Sequence, residues 1–565
     1  MAYANAPRIK KGISVTCIAL LLTLLLSACN GDPQTRQKAD QSRTELQKAI
    51  VHAQSIGIPA AMLRPIIAQQ TQLQQTNAPL TILSNQPATD YYHNLEQRYQ
   101  MLTVQVHGLE TQATQQLDYQ ANLDLQTFGS LLSQRQAQGF VGAKTFANQL
   151  TQEQTLMSQA QYPRNYTQIS GTAKIAIQAL RLMGPTYDKL HSFQQVIQQL
   201  DASHLDTTAL KQQSANDVQL FNQASKPEDF SHIIDQINAQ LQETATLSTQ
   251  AIPYVGAAKL SQFRSDIDKM KQYGQDTGAF QKRLDADQIA LNQARSLSDF
   301  LKLSSQIDND IASIQLPLLQ GQAHSLLKQF HQEVNNWGNT HKFNDTFNGQ
   351  SYNLDYEYDQ QGIGSDADVA VQYAQTADDY QAAIDLLNDD ITLLHSMEAA
   401  STDNTPWNQQ NTIDTNLMRH FNLMSGQTIV VSLIQQSLRL YQNGKLVKAF
   451  QITSGQFDKP SLPGVWHIFL RQSPTKFKSS EPKGSAFWYP DTNINFAMEY
   501  ADGGYYFHDS WWRVNYGPGT NFPHYDTGGD ETFAGNGSHG CINMPEGMAG
   551  WLYNNTAYGT AALIY

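Results

Sequence analysis

The hydrophobic period of this chain changes once, near residue 425, and that change constrains the fold more than any other feature. From about residue 33 to 420, apolar residues recur at helical spacing among Gln, Asp and Lys, as in TRQKADQSRTELQKAIVHAQ and TDYYHNLEQRYQMLTVQVHGLETQATQQL. Beyond it, GQTIVVSLIQQSLRLYQNGKLVKAFQITSG alternates apolar and polar residues, with Asn443-Gly444 between two strand-like runs. Asn-Gly flanked by alternating residues is a strong signal for a two-residue hairpin. From there to Tyr565 the chain is rich in Gly, Pro, Trp and Tyr and reads as a β domain. A length of 565 residues exceeds what one core organises. The expected architecture is therefore multidomain α + β. A long all-α helical repeat or stalk region spans 29–400, a linker marked by STDNTPWNQQNT spans 401–424, and a β domain spans 425–565.

The helical region repeats itself. FNQASKPEDFSHIIDQINAQL, LNQARSLSDFLKLSSQIDNDI and QYAQTADDYQAAIDLLNDDI each place an aromatic residue six positions after an Ala: Ala224/Phe230, Ala294/Phe300 and Ala374/Tyr380. MSQAQYPRNYTQI is a fainter copy, Ala160/Tyr166. Ser225, Ser296 and Thr376, each followed three residues later by an acidic residue, predict helix N-caps, with Pro227 in a first turn. The pattern predicts stacked helix–corner–helix units.

The formal net charge of −13 argues against a nucleic-acid partner, since phosphate binding needs a basic surface. At the N-terminus, Arg8, Lys10 and Lys11 precede the apolar run GISVTCIALLLTLLLSA, which ends at Leu26-Ser27-Ala28-Cys29. This is the layout of a secretory signal, over residues 1–28, and is short for a membrane span. The LSAC tetrapeptide resembles a bacterial lipobox, which implies lipid attachment at Cys29. The expected location is outside the cytoplasmic membrane, held by lipid and facing the cell wall. Cys17 lies in the segment that would be removed, so Cys541 remains as a thiol without a disulfide partner.

Cys541 sits in GNGSHGCINMPE. A thiol needs a base to become a strong nucleophile, and the sequence offers His508, His524 and His539. His539 shares the short loop with the thiol, so a His from another strand is the better arrangement, itself oriented by a third group. Gly537 and Gly540 permit turns closed to other residues, and the N–H groups of Gly540 and Cys541 are candidate oxyanion donors. Downstream, Pro545 and Glu546 predict a helix start with Asn543 or Met544 as cap. YFHD over 506–509 and SLPGVWHI over 461–468 are the other segments expected to converge here. His508, His539 and Cys541, with His524, also suit zinc chemically, but no short metal-ligand spacing supports a site. No metal and no cofactor is expected.

SHGCIN over 538–543 resembles the signature of the L,D-transpeptidase catalytic domain, a family of bacterial cell-wall cross-linking cysteine enzymes. TIVVSLIQQSLRLYQNGKLVKAFQITSG is similar to the family's opening strands, and LPGVWHI resembles its turn and following strand. The resemblance covers about 426–565 and implies a β-sandwich. It implies Cys541 as the nucleophile, His508 as the general base, and the backbone carbonyl of Asp509 as the group orienting the imidazole. It further implies that His539 and Gly540 frame the oxyanion site with Cys541, and that Ser538 and Asn543 contact loop or substrate. The partners implied are peptidoglycan stem peptides, with an envelope protein as a further candidate. Acyl transfer to an amine, hydrolysis as an L,D-carboxypeptidase, and attachment of an envelope protein all follow from one such site. A non-catalytic surface lipoprotein with a helical binding stalk is the reading of a different class. His508 stands farther from Ser538 than is usual in the family, and His524 is nearer the usual spacing. The intervening DSWWRVNYGPGTNFPHYDTGGDET reads as an insertion whose Trp511, Trp512 and Tyr516 are candidates for a lid over the substrate.

Overall fold

A computed structural model describes residues 31–79, 84–247, 249–530 and 533–565. The expected signal segment, residues 1–28, and Cys29 lie outside the described residues. Among those described, no helix is long and apolar enough to cross a membrane.

The chain forms two compact units: the residues up to Gln120 with Ala160–Gln168, and Ala121–Gln159 with Ile169–Tyr565. In the first, Asp32 caps helix Pro33–Ile56 by accepting from the Thr35 N–H at 2.9 Å. Gly57 ends that helix at φ 93°, a left-handed conformation that Gly adopts without cost. Leu46, Leu63, Tyr99 and Val106 form its core.

In the second unit, the three stronger repeats fold as helix–corner–helix. They comprise Thr208–Gln223 with Pro227–Leu247, Gly278–Gln293 with Leu297–Thr340, and Gly364–Gln372 with Ala377–Thr402. Ala224 and Ala294 leave their helices in extended conformation, at ψ 134° and 113°. The aromatic residues that follow, Phe230, Phe300 and Tyr380, are buried. Ser296 and Thr376 cap as expected, accepting from the N–H groups of Asp299 and Asp379. Ser225 does not. Pro227 starts its helix one residue late, and Asp229 reaches back to accept from the N–H groups of Ser225 and Lys226 at 2.9 and 3.0 Å.

The region expected to be all helical contains a hairpin. Strands β1 (Lys342–Asn344) and β2 (Ser351–Asn353) pair antiparallel across a turn holding Asn348-Gly349. The segment 401–424, expected as a linker, carries helix Thr412–His420.

The β domain opens with β3 (Gln427–Ser432), β4 (Ser437–Gln442) and β5 (Lys445–Gln451). Asn443 and Gly444 both take positive φ, 52° and 72°, as a tight β4–β5 turn requires. There follow β6 (Gly464–His467), β7 (Leu470–Gln472), β8 (Thr475–Phe477), β9 (Thr492–Ile494), β10 (Ala497–Ala501), β11 (Tyr505–Asp509), β12 (Ile542–Met544) and β13 (Ala561–Ile564). One sheet runs β5-β4-β3-β13-β6 and the other β12-β11-β10-β7, with β8-β9 a separate ribbon. Ile429, Val431, Leu440, Met498, Phe507, Ile542 and Ile564 fill the space between the two sheets.

The other face of the five-stranded sheet is also buried. Val430, Tyr441, Val465, Leu563 and Tyr565 pack with Phe330, Leu387, Leu394, Met397, Leu417 and Met418 of the helices. On helix Thr412–His420, the buried Asp414 joins Arg439 Nε at 2.5 Å and the hydroxyls of Tyr441 and Tyr565, each at 2.6 Å.

Candidate active site

Strand alternation divides the chemistry from the core. Phe507, Ile542 and Met544 point inward. β11 and β12 run parallel with His508 opposite Asn543, so His508, Asn543 and Cys541, two residues before it, share the opposite face. His508, Asn543 and Cys541 line one cavity of about 980 Å³.

The nucleophile loop is held from several sides. Gly540 has φ 106°, and a Cβ there would stand 2.7 Å from the Tyr505 ring. The Gly540 carbonyl accepts from the Ser461 hydroxyl at 2.8 Å, which is the contribution of the SLPGVWHI turn. Ser538, expected against substrate, directs its hydroxyl inside the loop, to the Cys541 carbonyl at 2.5 Å. It also accepts from the Gly540 N–H at 3.1 Å. That bond corrects one expectation: the Gly540 N–H is already engaged and is not a free oxyanion donor. The helix after the loop, Glu546–Asn555, has Pro545 at its cap instead of Asn543 or Met544.

His508 is 3% exposed. Its Nδ1 lies 2.7 Å from the Asp509 carbonyl oxygen. A carbonyl cannot donate, so Nδ1 carries the hydrogen and Nε2 of the neutral ring holds a lone pair. The Asp509 carboxylate fixes this arrangement, accepting from the N–H groups of Asn495 and Phe496 at 2.9 and 2.6 Å. Burial pushes the His508 imidazole down to about 4, with the Arg513 charge adding to the effect and the Asp509 carbonyl opposing it. Burial pushes the half-buried Cys541 thiol up to about 12, against a backbone N–H of Tyr506 that favours the thiolate; Glu499 adds to the rise. Both groups are thus neutral at pH 7.

His539 is held elsewhere. Its ring meets Phe487 edge-on at 5.9 Å and Tyr489 at 5.6 Å, and burial lowers its pKa. His524 also lines the cavity, its Nδ1 2.8 Å from the Phe522 carbonyl. Among the described residues, no group of three or more His, Cys, Asp or Glu side chains is arranged to hold a metal ion.

The insertion after His508 is bonded down rather than loose. Trp512 lies 6.0 Å from the His508 ring and meets Trp511 edge-on at 5.6 Å, and both tryptophans line the cavity. Asp526 accepts from the N–H groups of Val514 and Asn515, at 2.9 and 3.1 Å. Phe522 stacks on Phe343 of the hairpin at 4.3 Å and 10°.

Two contributors escaped sequence reasoning. The ribbon β8–β9 and its tip bring Phe477 to within 5.0 Å of the His508 ring, and add Trp488 and Tyr489 to the cavity wall. The β1–β2 hairpin adds Phe347, far outside the β domain in sequence. Aromatic residues inside SSEPKGSAFWYPD, and Asn348-Gly349 inside a helical region, were the available signals.

A cysteine on a glycine turn and a carbonyl-oriented imidazole thus line one cavity of a two-sheet β domain. Residues 426–564, the C-terminal quarter, match the YkuD family, the L,D-transpeptidase catalytic domain. Among solved structures, a mutant L,D-transpeptidase of Enterococcus faecium is similar at 26% identity and TM-score 0.21, over 25% of this chain and 51% of that one. An L,D-transpeptidase from Mycobacterium smegmatis is similar at 18% identity and TM-score 0.21, over 25% and 59%. The catalytic domain of the E. faecium enzyme is similar at 24% identity and TM-score 0.20, over 25% and 96%. The chain thus spans about half the length of the first of these. No curated protein matches it at the sequence level.

Proposed function

We propose that this protein is an L,D-transpeptidase that joins peptidoglycan stem peptides through a Cys541 thioester. The reading rests on the family of residues 426–564 and on one observation: the lone pair of His508 is freed by the Asp509 carbonyl, in the cavity that holds Cys541.

In this reading, His508 Nε2 takes the thiol proton as Cys541 Sγ attacks the carbonyl between the third and fourth residues of a donor stem. The tetrahedral intermediate collapses, the fourth residue leaves as an amine with the proton from His508, and the acyl group stays on sulfur. An amine of a second stem then attacks the thioester, passes its proton to His508, and the thiol is restored. Water in place of the amine gives a carboxypeptidase, and a protein amine gives attachment of an envelope protein. Trp511, Trp512 and Asn543 act as substrate contacts, and His539 frames the loop. A lipid on Cys29 would hold the protein outside the cytoplasmic membrane, facing the wall.

The test is incubation of the purified protein with a stem tetrapeptide, followed by mass spectrometry. Loss of the terminal residue or formation of a dimer is expected, abolished by Cys541→Ala and His508→Ala and retained in His524→Ala. Product formation that survives Cys541→Ala sinks the mechanism, and equal activity in the two histidine variants sinks the assignment of the base.

A further inference from the structure

We propose that Arg513 is the carboxylate-binding residue of the cavity and takes the free α-carboxylate of the donor's terminal residue. The proposal rests on the transpeptidase reading above.

Arg513 follows the two tryptophans of the insertion, and its guanidinium is out of place unless something anionic joins it. The residue is 6% exposed, yet it lines the cavity that holds Cys541 and His508. Nη1 donates to the Ala534 carbonyl at 3.2 Å. Among the described residues, Nε is buried with no hydrogen-bond partner and Arg513 makes no ion pair. Leaving a buried charge unpaired is strongly unfavourable, and a binding site is where such a cost is tolerated. Asp526 lines the same cavity and its charge acts on Arg513, but one of its carboxylate oxygens accepts two backbone N–H groups and no ion pair joins the two side chains. The open edge of the guanidinium fork is therefore free for another carboxylate, and Arg matches that geometry in two parallel hydrogen bonds.

The chemistry of the donor supplies one. Its scissile carbonyl is bonded to the terminal residue, so that residue's carboxylate enters the cavity with the reacting atoms. Among the described residues lining the cavity, Arg513 is the only lysine or arginine. Its charge also disfavours the protonated forms of both His508 and His539, which places it within electrostatic reach of the reacting groups. A bound carboxylate cancels that repulsion. Donor binding then makes His508 a better proton acceptor at the moment Cys541 must lose its proton.

The test uses the full chain and two probes, a stem tetrapeptide with a free C-terminal carboxylate and the same peptide as its C-terminal amide. Wild-type kcat/KM should favour the acid by at least about tenfold, the scale of one charged hydrogen bond. In Arg513→Gln that preference should fall to about one, with Arg513→Lys between. Binding of both probes to Cys541→Ala, with and without Arg513→Gln, separates recognition from chemistry, and thermal unfolding checks that each variant is folded. If Arg513→Gln does not fold, the comparison is made with Arg513→Lys. An acid preference unchanged in the folded variants overturns the proposal, as does wild-type indifference to the amide. So does a preference that instead follows a side-chain carboxylate of the stem. If the wild type turns over neither peptide, the transpeptidase reading fails, and the binding comparison in Cys541→Ala still decides the role of Arg513.

Discussion

Cys541 is half-buried and His508 buried, with the thiol pushed up to about 12 and the imidazole down to about 4. A resting thiolate–imidazolium pair would need the reverse order, so proton transfer belongs to the reaction itself. In the proposed mechanism His508 acts only when neutral, and this sets the sign of the pH dependence. The kcat/KM should rise with pH through about 4, where His508 loses its proton, and stay level from about 5 to 8. Cys541 alkylation by iodoacetamide should be slower at pH 7 than that of a free thiol, and should climb steadily toward high pH. A fast, pH-independent alkylation between 5 and 8 would mean a preformed thiolate. That Cys541, His508 and the Asp509 carbonyl come together at one cavity was readable because each sits in a short motif. Arg513 was not, since nothing in WWRV distinguishes a cavity-lining guanidinium from a surface one.

At the scale of elements, the sequence was most informative where a local signal and the tertiary contacts agree. Asn443-Gly444 and the Ser296 and Thr376 caps are such cases. Ser225 failed because Pro227 shifted the helix start and Asp229 took over the cap. The β1–β2 hairpin was hidden because helical periodicity on both sides outweighed the same Asn-Gly signal. Its position matters for the site, since it braces the insertion that carries Trp512 and Arg513. Three residues after the hairpin, the buried Tyr356 hydroxyl adds a polar contact, donating to the Gly455 carbonyl and accepting from Asn521 Nδ2 of the insertion, both at 2.9 Å. Tyr356→Phe leaves both groups buried without a partner. The expected loss is about 1–3 kcal/mol in urea denaturation, with KM for the donor raised as the insertion loosens. An unchanged KM at reduced stability would show that the brace does not act on the site.

For the β domain as a whole, the five-stranded sheet does not end at a solvated face. A half-exposed antiparallel sheet alternates buried and exposed residues, whereas β3 is buried from Thr428 to Ser432 because helices cover its outer side. A stalk that only carried a catalytic domain would leave that side polar. Here it is Val430, Tyr441, Val465, Leu563 and Tyr565, with the fully buried Arg439 balanced by Asp414 from the segment before the domain. The family match begins at residue 426, so the matched residues alone lack both the apolar cover and the counter-charge. Removing one partner of a buried ion pair costs about 3–5 kcal/mol, comparable to the whole stability of a small domain. A fragment of residues 426–565 should therefore aggregate or unfold without a cooperative transition. One beginning at Leu297, which restores helices Leu297–Thr340, Ala377–Thr402 and Thr412–His420, should be soluble and melt cooperatively. Calorimetry and size-exclusion chromatography of the two fragments decide the matter. A monomeric, cooperatively melting 426–565 would return the helices to the role of a spacer.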